Sequence, residues 1–174
     1  MSCVVGLIDN KKVFMGCDSR ATAEEVFIRP IKTTKIFKNK KFLIGFTGSP
    51  RVGQILAPKY FDPPKDIYDW SDYLRDLFSD KGMLVMGEGG VHCQGSNILV
   101  ATHGQLYEIL SDFQINTIEE YSSIGSGSLF AYGSLYTTSL IKDIITPEDR
   151  VLYALEAGGS FDAQTGPPYI VEKI

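Results

Sequence analysis

The sequence has no long apolar run, no paired cysteine spacing and no excess of positive charge, and each absence removes a class of protein. No segment approaches the roughly 18 apolar residues that span a bilayer. The first residues, Met1-Ser2-Cys3, carry neither the basic stretch nor the long apolar core of a secretory signal. Cys3, Cys17 and Cys93 are odd in number and scattered, a pattern of reduced thiols packed as small hydrophobes that points to a cytoplasmic setting. His92 and His103 are the only histidines and lie in different segments without metal-ligand spacing, so no metal is expected. Gly125-Ser126-Gly127 lacks the third glycine of a dinucleotide loop, and no cofactor is implied. The net charge of −4 supplies no field that would draw nucleic acid or an anionic membrane.

What remains is an ordinary globular composition, 44% hydrophobic and 22% charged, in 174 residues. That length suits a single domain over 1–174 whose core needs no disulfide or metal. Residues 3–8 (CVVGLI) and 13–17 (VFMGC) are apolar runs flanking Asp9-Asn10-Lys11-Lys12, which reads as a hairpin. A strand that starts so early ties the N-terminus into the fold. Residues 18–32 carry few strand or helix signals and read as a long loop. A second hairpin follows at 34–37 and 42–47, then a helix start at 52–56 and a proline-bounded loop at 58–64. Residues 70–78 place Trp70, Tyr73, Leu74, Leu77 and Phe78 at helical spacing. A third hairpin turns at His103-Gly104 between 97–102 and 105–110. Residues 129–145 carry apolar residues all along, as a buried helix would. Thr146-Pro147-Glu148-Asp149 opens another helix with an N-cap, a first-turn proline and first-turn acids, ending at Gly158-Gly159. Residues 169–174 close as a strand. Hairpins and helices come in separate groups, which implies an α+β arrangement of antiparallel sheets with helices outside them.

Several segments together resemble the proteasome β subunit and the HslV-type peptidase. Met1-Ser2-Cys3-Val4-Val5-Gly6 is similar to that family's start, with serine in place of threonine. Gly16-Cys17-Asp18-Ser19-Arg20-Ala21-Thr22 resembles its Asp-Ser-Arg-Ala-Thr signature. Lys35-Ile36 begins the strand that carries the family lysine, and Gly45-Phe46-Thr47-Gly48-Ser49 resembles the glycine turn at its substrate cleft. Gly125-Ser126-Gly127-Ser128 resembles its Gly-Ser-Gly helix start, and Asp162-Ala163-Gln164-Thr165-Gly166 its Asp-x-x-Ser-Gly loop. These motifs fall in the family's order along nearly the whole chain.

The resemblance implies a four-layer αββα sandwich, the N-terminal-nucleophile hydrolase fold, in homo-oligomeric stacked rings around a proteolytic chamber. It implies Ser2 as nucleophile once Met1 is removed, with the freed α-amine as base. An unperturbed α-amine, with a pKa near 8, suits proton transfer around neutrality. Lys35 is the implied active-site lysine, paired with Asp18, and Lys32 is the alternative. Gly48 would supply an oxyanion N–H, because glycine admits close backbone approach. Thr22 and Gly48 would pair with an extended peptide. Ser126 and Asp162 would tune the amine, with Thr165 in the family's second serine position. Ser126 also reads as a helix N-cap. Arg20 and Phe46 would border the pocket for the side chain before the cut. The implied substrate is a peptide or unfolded protein, delivered by an AAA+ ATPase unfoldase. Two other readings stay open: a non-catalytic ring subunit, and a related amidohydrolase or ligase. Cys3 is a further candidate nucleophile.

Overall fold

The computed structural model describes residues 2–23, 26–30, 33–38, 41–57, 63–87, 90–93 and 95–174. The N-terminal run forms β1 (Cys3–Asp9), which turns through Asn10 and Lys11 into β2 (Lys12–Cys17). Both turn residues take left-handed backbone, φ 47° and 62°, the conformation that joins two strands in a tight hairpin. β1 pairs on its other side with β12 (Tyr121–Gly125), and β2 with β13 (Ile170–Lys173). The result is a four-stranded antiparallel sheet ordered β12-β1-β2-β13.

A second, five-stranded antiparallel sheet runs β11-β10-β9-β6-β5. It is built from β5 (Ile36–Lys38), β6 (Leu43–Phe46), β9 (Ile98–Thr102), β10 (Gln105–Ile109) and β11 (Ile115–Ile118). Two helices cover its outer face, α1 (Pro50–Leu56) and α2 (Trp70–Asp80). The four-stranded sheet is covered by α3 (Ser128–Ser139) and α4 (Pro147–Phe161).

Strand alternation sorts the apolar side chains into three cores. Ile44, Phe46, Val100 and Ile109 face α1 and α2, meeting Ile55, Leu74 and Phe78. Val4, Met15, Leu43, Leu99, Leu106 and Ile124 fill the space between the sheets. Val5, Leu7 and Phe14 face α3 and α4, meeting Leu135, Val151 and Leu155. β1 is central in its sheet and buried on both faces, which explains its unbroken apolar run. The layers are α, β, β, α, the expected four-layer sandwich. Ser2 sits at the end of β1, at the mouth of this sandwich, with Gly125 of β12 paired to Cys3 beside it.

Five segments differ from expectation. Residues 18–32 are not all loop: they hold β3 (Arg20–Ala23) and β4 (Val26–Pro30), a two-stranded ribbon with a register shift between Ala21 and Thr22. Strands this short, with a bulge, leave no alternating pattern to read. A second ribbon, β7 (Leu84–Gly87) with β8 (Gly90–Cys93), and the edge strand β11 were likewise without a sequence signal. α4 does not stop at Gly158-Gly159 but continues to Phe161. A Cβ at Gly158 would press on Cys3 Sγ and the Gly127 carbonyl, so the glycine serves close packing of the helix on β1. The 129–145 run is a helix only to Ser139. Ala131 and Leu135 are buried, while Leu129, Tyr136, Leu140 and Ile144 are 79%, 62%, 69% and 82% exposed. The segment is apolar on every side, but the sheet covers only one of them. The expected loop at 58–64 falls largely outside the described residues.

Replacing Leu74, fully buried between α2 and the five-stranded sheet, tests the outer layer. Leu74→Ala should cost about 2–5 kcal/mol in urea unfolding, the range for emptying a packed leucine site.

Candidate active site

The fold gathers Cys3, Arg20, Lys35 and Gly166 around one buried carboxylate. Asp18 follows β2, fully buried. Its Oδ1 accepts from Lys35 Nζ at 2.7 Å and from the Cys3 N–H at 3.0 Å. Its Oδ2 accepts from the Arg20 N–H at 3.0 Å and the Gly166 N–H at 3.3 Å. Lys35, 6% exposed, also donates to the Arg20 carbonyl at 2.8 Å. One carboxylate thus ties together the start of β1, the start of β3, the loop after α4 and the lysine just before β5. A buried charge survives when it is paired and its lone pairs are filled, and Asp18 meets both conditions. Lys32, the alternative lysine, lies outside the described residues.

Ser2 is 4% exposed. Its carbonyl accepts from the Gly127 N–H at 3.3 Å and lies 3.4 Å from Ser126 Oγ. Ser126 Oγ is 2.5 Å from Asp162 Oδ2. A hydroxyl has one proton, and the shorter contact to a carboxylate takes it. The expected N-cap role of Ser126 is therefore not the one found: Gly127 occupies the cap position of α3 without a side-chain bond. Thr165, fully buried, donates to the same Asp162 oxygen at 2.7 Å. Burial pushes the Asp162 carboxyl up, but the bonds from Ser126, Thr165 and the Gln164 N–H outweigh it and hold the group below its ordinary range.

Gly48 follows β6 with φ +89°, where other residues are strained. A Cβ there would also collide with Ser96 Oγ and the Gly95 carbonyl. Ser49 beside it caps α1, accepting from the Arg51 N–H, while its own N–H is held by Ser96 Oγ at 3.2 Å. The turn is therefore fixed from both sides. Arg20 sends its guanidinium to the Ala163 carbonyl at 2.9 Å, bracing the 162–166 loop. Thr22 is half-buried on β3, and among the described residues no hydrogen bond joins its side chain to the cluster. Phe46 faces α1. Cys3 turns away from the mouth of the sandwich toward α3 and α4, bonded to Ser123 at 3.7 Å, and burial pushes its thiol up to about 12. A thiol so rarely ionised is a poor nucleophile.

A cavity of about 410 Å³ opens beside Gly48, Gly125 and Ser126. It reaches back to Glu108, which sequence reasoning passed over. The signal was strand parity: Glu108 is two residues from Leu106, so both face the inter-sheet core.

No protein-family model matches the chain, and no curated protein sequence does. Solved structures match along almost all of it. Thiobacillus denitrificans BPH, 16% identical, covers 99% of this chain and 97% of its own with a TM-score of 0.86. The same protein in complex with Epoxomicin gives 15% identity, the same coverage and 0.85. Eukaryotic HslV from Trypanosoma brucei gives 18% identity, 98% of both chains and 0.71. The fold is accordingly the HslV-type N-terminal-nucleophile hydrolase fold.

Two measurements probe the cluster. Asp18→Ala strands the Lys35 ammonium and three N–H groups, so it should destabilise by about 3–5 kcal/mol, more than Lys35→Met, in chemical denaturation. Asp162 has a depressed folded-state pKa. Its stabilisation is present above the unfolded value and is lost as pH falls through the folded one. Wild-type stability should therefore drop more steeply below about pH 4 than that of Asp162→Asn.

Proposed function

We propose that the chain is an HslV- and proteasome-like peptidase that cleaves peptide bonds with Ser2 after removal of Met1. The observation that carries this reading is the buried Lys35–Asp18 pair anchored to the Cys3 N–H, one residue from the serine. While Met1 is attached, the Ser2 nitrogen is an amide and cannot take a proton. Its removal leaves an amine beside the hydroxyl, so one residue supplies nucleophile and base.

The amine takes the Ser2 Oγ proton as Oγ attacks the peptide carbonyl. The new oxyanion is met by the Gly48 N–H, on a turn already locked in place. The Lys35 charge favours the neutral amine and the developing negative charge. The ammonium returns its proton to the leaving nitrogen, the C–N bond breaks, and an ester on Ser2 remains. Water, deprotonated by the same amine, hydrolyses it. Ser126, Asp162 and Thr165 hold the amine's surroundings, Thr22 and Gly48 pair with the substrate backbone, and Arg20 keeps the 162–166 loop in register.

A cavity of about 410 Å³ admits side chains and not a folded domain. Protein substrates must arrive unfolded, which is the place for an AAA+ ATPase partner. The uncovered apolar side of α3 supports a homo-oligomeric ring, because exposed apolar area of that extent marks an association surface. A non-catalytic ring subunit would share that surface but keep Met1.

Epoxomicin, the ligand of the Thiobacillus neighbour, is the probe. Met1-free protein should gain the mass of the inhibitor, and Ser2→Ala should not. Ser2→Ala should also lower peptide turnover by roughly 10³–10⁶-fold, the scale for loss of a nucleophile. Equal turnover by wild type and Ser2→Ala would exclude this mechanism.

A further inference from the structure

β10 places an acid where its own pattern calls for an apolar residue. Leu106, two positions earlier, is fully buried between the sheets, and Tyr107 and Ile109 pack on the opposite, helix-facing side. Glu108 therefore points toward the four-stranded sheet. Across from it on β12, Ser122 shares a face with Ile124 of the inter-sheet core and is fully buried. Ser122 Oγ donates to Glu108 Oε2 at 3.2 Å. With that proton committed, the Tyr132 hydroxyl donates to Ser122 Oγ at 2.9 Å. The chain Tyr132–Ser122–Glu108 fixes the carboxylate at the wall of the cavity beside Gly48 and Ser126.

Among the described residues that line the cavity, Glu108 is the only charged one. Burial raises its carboxyl above the ordinary glutamate range, and the Ser122 bond opposes the rise only in part. A half-buried acid with no cation among the described residues of its cavity is costly to ionise, and an incoming cation removes the cost. The volume, about 410 Å³, lies within the span of small-ligand sites and holds a long side chain.

We infer that this cavity is a substrate subsite selecting a cationic side chain, lysine or arginine, close to the cleaved bond, with Glu108 as its charge partner. The inference rests on the reading of Ser2 as nucleophile for its placement along the peptide, but not for the binding itself. Arg20 and Lys35 do not line the cavity, so among the described residues no cation of the lining competes for the carboxylate.

The experiment has two arms. In the first, Met1-free protein digests a peptide mixture and the products are read by mass spectrometry. Cleaved bonds should carry Lys or Arg within two residues, and the kcat/KM ratio of a lysine peptide to its norleucine analogue should fall roughly 10- to 100-fold in Glu108→Gln, the range for a charged hydrogen bond. The loss should lie mainly in KM, and Glu108→Asp should restore part of it. In the second arm, Nα-acetyl-lysinamide and Nα-acetyl-norleucinamide are titrated into Ser2→Ala protein and followed by amide chemical shifts. Only the lysine compound should shift the Gly48 and Gly125 signals, and adding Glu108→Gln should abolish the shift. Cleavage without basic preference, or lysine binding indifferent to Glu108→Gln, would overturn the subsite while leaving the peptidase standing. Lysine binding through Glu108 without any peptide cleavage would uphold the subsite and remove the peptidase.

Discussion

The four bonds to the Asp18 carboxylate are the constraint on which the site depends. They come from the first residue of β1, from β3, from the loop behind α4 and from Lys35. These elements are far apart in sequence, and the three cores bring them to one end of the sandwich. Fully buried, the carboxylate is tolerable only while all four donors are in place. The chain around Ser2 therefore cannot shift without exposing an unpaired charge. That coupling makes the start of β1 a fixed platform and not a fraying end.

Three carboxylates serve the mouth of the sandwich, each in a different environment. Asp18 is neutralised by a cation and three N–H groups. Asp162 is held low by two hydroxyls and an N–H, the more so because it borders solvent. Glu108 has a single hydroxyl donor and is pushed the other way by burial. The first two are saturated and suited to holding structure. The third has capacity left, and capacity in a cavity is what a ligand can use.

Much of the architecture is legible in the sequence. The hairpins at Asn10-Lys11 and His103-Gly104 were readable because apolar runs flank residues that accept left-handed backbone. Thr146 announces α4 and does cap it, but the helix runs past the expected stop to Phe161 because Gly158 answers to a neighbouring strand and not to a helix end. Asp18, Lys35, Ser126, Asp162 and Thr165 were named from ordered motifs, and the fold brings them within hydrogen-bonding reach of one another in two linked groups. Ser126 was half-read: its bond goes to Asp162 and not to the helix it precedes. Glu108 is legible only in part: parity puts it on the same face of β10 as Leu106, but a lone acid in a strand reads as solvent-facing until the pairing register shows which face is the core.

In the proposed mechanism the Asp18 platform presents a free amine and hydroxyl at Ser2. The most direct measurement is the intact mass and N-terminal sequence of the protein isolated from its own cells. The proposed mechanism predicts a chain beginning at Ser2 with an unblocked amine. A population that retains Met1, or carries an acyl group on Ser2, would contradict it.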